Sequence, residues 1–514
     1  MFLDHLSRMH HWRVVLVLLI LLGSFSITAF CNVFSPLMSP IGYYDSMMFY
    51  MAGKSWAHGL LPYVGFEDVK GPLLFLWFYI GYVLSPDRTM GCYVLASLSF
   101  ALVLGLSYKT ARVLGLNREQ AFVAVLLLLV ASCFSPFRSF GCRAEEVMFP
   151  LLSLLVYEVC RYFYSSAQAY LRACAVCGAV FTALILIKYN DAPVAVAAFV
   201  ALSVVEWMRS KRLSRPAVGL LVFAVASVLV FLPFAIYMLC TGTFNDFIRV
   251  YFFFNVDTYR TDGSLFHTLW GNVWEAVCRT LQGREALLFW LPAAAVFSTP
   301  FLRPGQRLGT WTLLLIICVS YAVNVIGNYS YYICFMLPLL ALPSCALASR
   351  LQIRLNVLSA VILAGLSCLV GIQLNGTWST KSPRRLTYKL PSDVQAAEDR
   401  ICSLGKNPKI LYIDFLSMGF GLKAGSLPAC PQWTNLNGSG PEYKAAQREC
   451  VRQRKADVVV TTGRIQAGSL AHEDGTREFT QEASKNAALL KECGYRAELC
   501  VRHGEGYVTL WFKD

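Results

Sequence analysis

Charged side chains gather in a few short stretches between long apolar runs. Tyr43-Tyr44-Asp45-Ser46 is followed by Phe66-Glu67-Asp68-Val69-Lys70-Gly71-Pro72, which sets two acidic points and a lysine in one loop. Arg143-Ala144-Glu145-Glu146 and Lys188-Tyr189-Asn190-Asp191 come next. Then follow an aromatic run from Phe247 to Arg260, carrying Asn255, Asp257 and Tyr259, and the turn Gly327-Asn328-Tyr329-Ser330-Tyr331-Tyr332. A carboxylate can take the proton of a hydroxyl nucleophile, and lysine or arginine can neutralise a departing phosphate. Each group also has a plainer reading. Glu145 and Glu146 suit a helix N-terminus electrostatically, Lys188 can snorkel, and a single loop aspartate such as Asp45 is most often merely solvated.

The elements that must position these residues are membrane helices. Of 514 residues, 56% are hydrophobic and 15% charged, against about 25% charged in soluble domains. Apolar runs near the roughly 20 residues needed to cross a bilayer recur up to Gly371. The expected spans are 14–31, 90–108, 119–134, 146–160, 173–188, 191–207, 217–240, 286–300, 311–328, 331–347 and 355–373. The sequence therefore predicts a mainly α protein with a helical membrane domain over 1–376 and a small α/β domain over 377–514. The first apolar run lacks a small-residue cleavage site and reads as a retained helix.

The apolar run from Gly71 to Ser85 is too short to cross comfortably. If it stays on one side, with the N-terminus cytoplasmic, every short basic loop lies inside, as the positive-inside bias requires. Those loops carry Lys109, Arg112 and Arg118; Arg161 and Arg172; Arg209, Lys211, Arg212 and Arg215; Arg303 and Arg307; and Arg350 and Arg354. The count is then eleven crossings, with the tail outside. Most acids of the membrane part, Asp45, Glu67, Asp68, Glu145, Glu146 and Asp191 among them, fall on the outer side. Acids near membrane level are costly and usually functional. The net charge of +14 is explained by the inner loops, so nucleic acid is not expected as a partner.

In the first outer loop, Met47 to His58 has the spacing of an interfacial amphipathic helix, with Asp45 just ahead of it. Gly59 ends that helix and Pro72 opens a second. In the tail, Ser392 reads as the N-cap of a helix through Leu404, and Lys409 to Phe415 as a strand. Gly440–Lys455 and Phe479–Cys493 read as helices, and Asp457–Thr462 as extended. Tyr495–Val501 and Gly506–Phe512 read as a hairpin. Of the eighteen cysteines, the tail holds Cys402, Cys430, Cys450, Cys493 and Cys500. In an oxidising compartment these allow one or two disulfides, with the pairing open.

These residues resemble the GT-C superfamily of polyprenyl-phosphate-sugar-dependent transferases. The likeness is to bacterial members akin to protein O-mannosyltransferases, lipid A aminoarabinose transferase and rhizobial galacturonosyltransferases. It is carried by Asp45, Gly59-x-x-Pro62-Tyr63 and Asp68-Val69-Lys70-Gly71-Pro72; by Gly141-x-x-x-Glu145-Glu146 with Pro150-Leu151; by Lys188-Tyr189-Asn190; and by Tyr331-Tyr332 with Leu337-Pro338. The resemblance implies an inverting hexosyl- or pentosyltransferase of the cell (inner) membrane. It would move a sugar from a polyprenyl-phosphate donor to a glycan, lipid or protein acceptor outside.

By the same resemblance Asp45 is the catalytic base and the candidate ligand of a divalent cation, Mg or Mn. Lys70, Lys188 and Arg143 would face the donor phosphate. Asp68, Glu145, Glu146, Asn190, Asn255, Tyr259, Tyr331 and Tyr332 would position substrate. Many relatives carry His where Tyr331 stands, and tyrosine does not titrate near neutral pH. A polymerase or ligase using oligosaccharide-lipid donors is the alternative. A transporter or flippase fits less well, because neither midplane charges nor repeated halves are found.

Overall fold

The structure is a computed structural model. It describes residues 2–41, 44–86, 88–133, 142–164, 169–254, 274, 278, 286–297, 307–325, 330–374, 390–436, 440–466, 469–471, 477–503 and 506–514. The chain forms two compact units, each assembled from three stretches. One comprises Met1–Ser35, Tyr93–Phe234 and Thr261–Leu386; the other comprises Pro36–Cys92, Ala235–Arg260 and Thr387–Asp514.

The first unit is helical. It holds α1 (Phe2–Cys31), α4 (Met90–Val113), α5 (Arg118–Ala131), α6 (Ala144–Tyr164), α7 (Tyr170–Ile185), α8 (Pro193–Ser210) and most of α9 (Ser214–Cys240). It continues with α11 (Ala286–Val296), α12 (Arg307–Val325), a 3-10 helix at Ser330–Leu340, α13 (Ala341–Ala348) and α14 (Val357–Leu374). Each of the eleven expected spans overlaps helical backbone. Among the described residues six helices are long and apolar enough to cross a bilayer by length and composition: Trp12–Cys31, Met90–Val113, Ala144–Tyr164, Tyr189–Ser210, Ser214–Cys240 and Val357–Leu374. Almost none of α9 is buried although it is strongly apolar, the pattern of a helix that faces lipid. The start of α5 is fixed by a reciprocal cap. The Gln120 backbone N–H donates to Asn117 Oδ1 at 2.8 Å and the Asn117 N–H donates to Gln120 Oε1 at 3.1 Å, an arrangement worth about 1 kcal/mol.

The second unit contains α2 (Tyr44–Ala57) and α3 (Pro72–Leu84). With 13 residues, α3 is about 20 Å long, short of the ~30 Å hydrocarbon core. The two helices touch backbone to backbone at Gly53, where a Cβ would lie 2.4 Å from the Phe78 carbonyl carbon. Two sequence expectations need correction here. Asp45 is in the first turn of α2, not ahead of the helix. The stretch Ser46–Ser55 is buried throughout, Lys54 and Ser55 included, so α2 is wrapped by protein on all sides, with no polar face left open. A short α10 (Phe244–Phe247) and a π-helix (Ile248–Phe253) also belong to this unit.

The C-terminal part of the second unit is an α/β fold. It runs α15 (Ser392–Cys402), β1 (Lys409–Ile413), β2 (Leu427–Pro428), α16 (Pro441–Arg452), β3 (Val458–Thr462), β4 (Arg464–Gln466), β5 (Ser469–Ala471), α17 (Arg477–Glu492), β6 (Tyr495–His503) and β7 (Gly506–Lys513). The main sheet has the order β2-β1-β3-β7-β6. The first three strands are parallel, with α16 as the crossover, and β7 and β6 form the expected antiparallel hairpin. Leu411, Val459, Val451, Leu490, Tyr495 and Trp511 build its core. Pro391, not Ser392, is the N-cap of α15, because the extended proline leaves Ser392 as the first helical residue. All five tail cysteines are thiols in this structure.

Candidate active site

In the second unit the chain turns sharply after α2. Gly59 adopts φ +84° and Tyr63 φ +69°. The Tyr63 N–H donates to the Phe66 carbonyl at 2.9 Å, and the Tyr63 hydroxyl donates to the Lys70 carbonyl at 2.9 Å. A buried tyrosine thus braces both ends of the 66–70 segment, and its ring packs on Phe75 and Phe247. Glu67 is held twice. Its backbone N–H donates to the Pro431 carbonyl at 2.8 Å, and its carboxylate accepts from Arg249 Nη2 at 3.1 Å. Arg249 also donates to Asp246 at 3.2 Å. Arg249 is one of two arginines in the aromatic stretch, and its position amid aromatic residues is the signal the sequence offers for it.

Asp68 is buried, and burial pushes its carboxyl from the ordinary 3.8 up to about 6. The nearby Lys70 charge opposes that rise and the Asp45 charge adds to it, so the three predicted residues Asp45, Asp68 and Lys70 share one electrostatic neighbourhood. Asp45 itself is half-buried. Tyr63 is raised well above its usual range, first by burial and then by Tyr251 and Asp68. It is a neutral hydrogen-bond donor at any physiological pH.

The first unit holds the second predicted group. Glu145 and Glu146 occupy the first turn of α6, as the capping argument expects. Lys188 lies just beyond α7 and is the N-cap of a 3-10 turn at Tyr189–Asp191. Its ammonium donates to Glu145 Oε1 at 2.6 Å and lies 3.9 Å from Asp191 Oδ2. The Cys142 backbone N–H donates to Glu146 Oε2 at 3.2 Å, from a residue in the left-handed region at φ +59°. Asn32, at the end of α1, donates to Cys142 Sγ at 3.2 Å while its oxygen accepts from the Phe34 N–H at 2.8 Å. The buried thiol of Cys334 lies within electrostatic range of Glu145, Glu146, Arg143 and Lys188. Arg143, Glu145, Glu146 and Lys188 are thus brought together, and Asn32, Cys142 and Cys334 join them without having been anticipated. Asn190 is exposed in its turn. Tyr331 and Tyr332 are in the 3-10 helix; Asn255 and Tyr259 lie outside the described residues.

No protein-family model matches the sequence, and no curated protein matches it significantly. Solved structures do. ArnT from Cupriavidus metallidurans bound to undecaprenyl phosphate aligns at 14% identity and a TM-score of 0.59, over 97% of this chain and 98% of that one. The apo form of the same protein aligns at 13% and 0.58, over 98% of both chains. The fold is the one these ArnT structures share. The likeness runs through the apolar helices and the C-terminal α/β part alike. With six helices long and apolar enough to cross a bilayer among its described residues, the chain is a multi-pass membrane protein.

Among the described residues no group of three or more His, Cys, Asp or Glu is placed to hold a metal ion. Asp68 has the Lys70 charge near it, which opposes the rise of its carboxyl.

Proposed function

We propose that this protein transfers a sugar from a polyprenyl-phosphate donor to a glycan, lipid or protein acceptor on the outer face of the cell membrane. The observation that carries the proposal is the end-to-end fold likeness to a transferase structure that holds undecaprenyl phosphate. The side chains supply the chemistry the reaction needs. The Asp45 carboxylate takes the proton of the acceptor hydroxyl. The acceptor oxygen bonds to the anomeric carbon from the opposite face, and the bond from that carbon to phosphate breaks. Its electron pair leaves with the polyprenyl phosphate, and the configuration inverts.

Lys70, Lys188 and Arg143 meet the charge that develops on the phosphate. Lys188 is suited to this because it is a buried ammonium held in place by Glu145. Asp68, Glu145, Glu146, Asn190, Asn255, Tyr259, Tyr331 and Tyr332 orient sugar and acceptor. In this reading residues 1–376 form the catalytic membrane domain, the N-terminus is cytoplasmic, and 377–514 lie outside.

The test offers the purified protein a panel of polyprenyl-phosphate monosaccharides and measures released lipid phosphate. Release with one donor, abolished in Asp45→Asn, is the expected result. Silence across the panel, with turnover of an oligosaccharide-lipid, would replace this reading by a polymerase or ligase.

A further inference from the structure

Two of the five tail cysteines share one buried site. The chain leaves β2 still paired with β1, the Ala429 N–H donating to the Ile410 carbonyl at 3.0 Å. It then passes Cys430, Pro431 and Gln432 and reaches Trp433, whose carbonyl accepts from the Tyr412 N–H at 2.7 Å. The helix α16 is bonded across this segment by one side chain. Gln447 Nε2 donates to the Gln432 carbonyl at 2.9 Å and to the Tyr412 carbonyl at 3.1 Å. Cys450 stands one helical turn beyond Gln447, on the same face. Cys430 stands two residues before Gln432 along the extended segment. Both side chains belong to the same buried core cluster, and each thiol is the largest influence on the other's acidity. Cys402 is exposed, and Cys493 and Cys500 are half-buried.

We propose that Cys430 and Cys450 are joined by a disulfide bond in the mature protein. In an oxidising compartment the step is thiol–disulfide exchange with a disulfide-bearing oxidant, either a protein or a small molecule. One cysteine thiolate attacks the oxidant to give a mixed disulfide. That attack breaks the oxidant's S–S bond; the second cysteine thiolate then attacks the mixed disulfide, so the Cys430–Cys450 S–S bond forms as the mixed S–S bond breaks. The oxidant leaves as two thiols, having taken two electrons and, through water, the two cysteine protons. The bond would fix Pro431, the next residue, whose carbonyl holds the Glu67 N–H. It would therefore steady the segment that carries Asp68 and Lys70. Native oxidation rests on the outward placement of this domain proposed above; the pairing itself does not.

The full-length protein in isolated membranes is alkylated under denaturing conditions without reductant, digested and analysed by mass spectrometry. The expected product is a linked Cys430–Cys450 peptide pair, two hydrogens lighter than its parts and lost on reduction, with Cys402, Cys493 and Cys500 alkylated. A parallel sample is treated with oxidised glutathione before alkylation. Free thiols in membranes that close selectively into Cys430–Cys450 on this treatment would support the pairing and overturn the outward placement. Absence of the linked pair in both samples, or linkage of either cysteine to another partner, would overturn the proposal.

Discussion

The ammonium of Lys188 lies 2.6 Å from Glu145 Oε1, and both side chains are almost wholly withdrawn from solvent. Removing one member of such a pair strands the other. Lys188→Ala should therefore destabilise the protein by about 3–5 kcal/mol, read as a fall in the unfolding temperature in detergent. The double variant Lys188→Met with Glu145→Gln should recover much of that stability and still show no sugar transfer. Wild-type stability in Lys188→Ala would show that the pair is weaker than its burial implies.

Asp45 poses the opposite case. It sits half-buried in the first turn of α2, where losing a charge costs at most a few tenths to 1 kcal/mol of helix electrostatics. Asp45→Asn should keep its unfolding temperature within a few degrees while kcat falls about 10²–10⁴-fold, the range for a lost general base. A variant that keeps more than a tenth of wild-type turnover would assign the base elsewhere.

Asp68 gives a pH signature. Its carboxyl is raised from 3.8 to about 6 by burial, so the folded protein holds this proton more tightly than the unfolded chain. The resulting stabilisation is complete below the unfolded value and is lost as pH rises through about 6. It amounts to roughly 3 kcal/mol at most. Unfolding temperatures of wild type and Asp68→Asn, taken in steps between pH 4 and 8, should converge at the acid end. They should separate above pH 6, with Asp68→Asn the more stable. Parallel curves would mean that Asp68 is not the titrating group.

Gly419 controls how the C-terminal fold meets α2. It adopts φ +82°, and a Cβ there would lie 2.6 Å from Cε of Met47, a residue that is fully buried and two positions after Asp45. Gly419→Ala should cost more than about 1 kcal/mol through backbone strain alone, with a further loss from displaced Met47. Adding Met47→Ala should relieve only the steric share. If Gly419→Ala lowered stability without changing kcat, the contact would be structural and would not govern Asp45.

Much of this architecture is written locally. Apolar run length located the six helices long enough to cross a bilayer, and alternation with turn residues located β1, β3, β6 and β7. The two-residue β2 and the β4–β5 hairpin were missed because neither is long enough to establish a period. Serine favours the cap position, but Pro391 before it is extended and takes that place, leaving Ser392 inside the helix. The charged residues were legible one by one as types, and their pairing was not. Glu145 and Lys188 are 43 positions apart, and nothing in either stretch names the other. Asn32, Cys142 and Cys334 were invisible for the same reason, being ordinary residues made notable only by what surrounds them.

The second unit draws its three stretches from near the start, the middle and the end of the chain. During synthesis the segment bearing Asp45 and Lys70 emerges first, and Pro431, which holds Glu67, emerges some hundreds of residues later. At ribosomal rates of about 5–20 residues per second the loop waits for its partner for tens of seconds. Membrane insertion can therefore finish while the loop still lacks that support, and a chain stopped before residue 387 should integrate stably yet never become an enzyme. The protein's last quarter thus sets the moment at which the segment around Asp45 and Lys70 acquires its final shape.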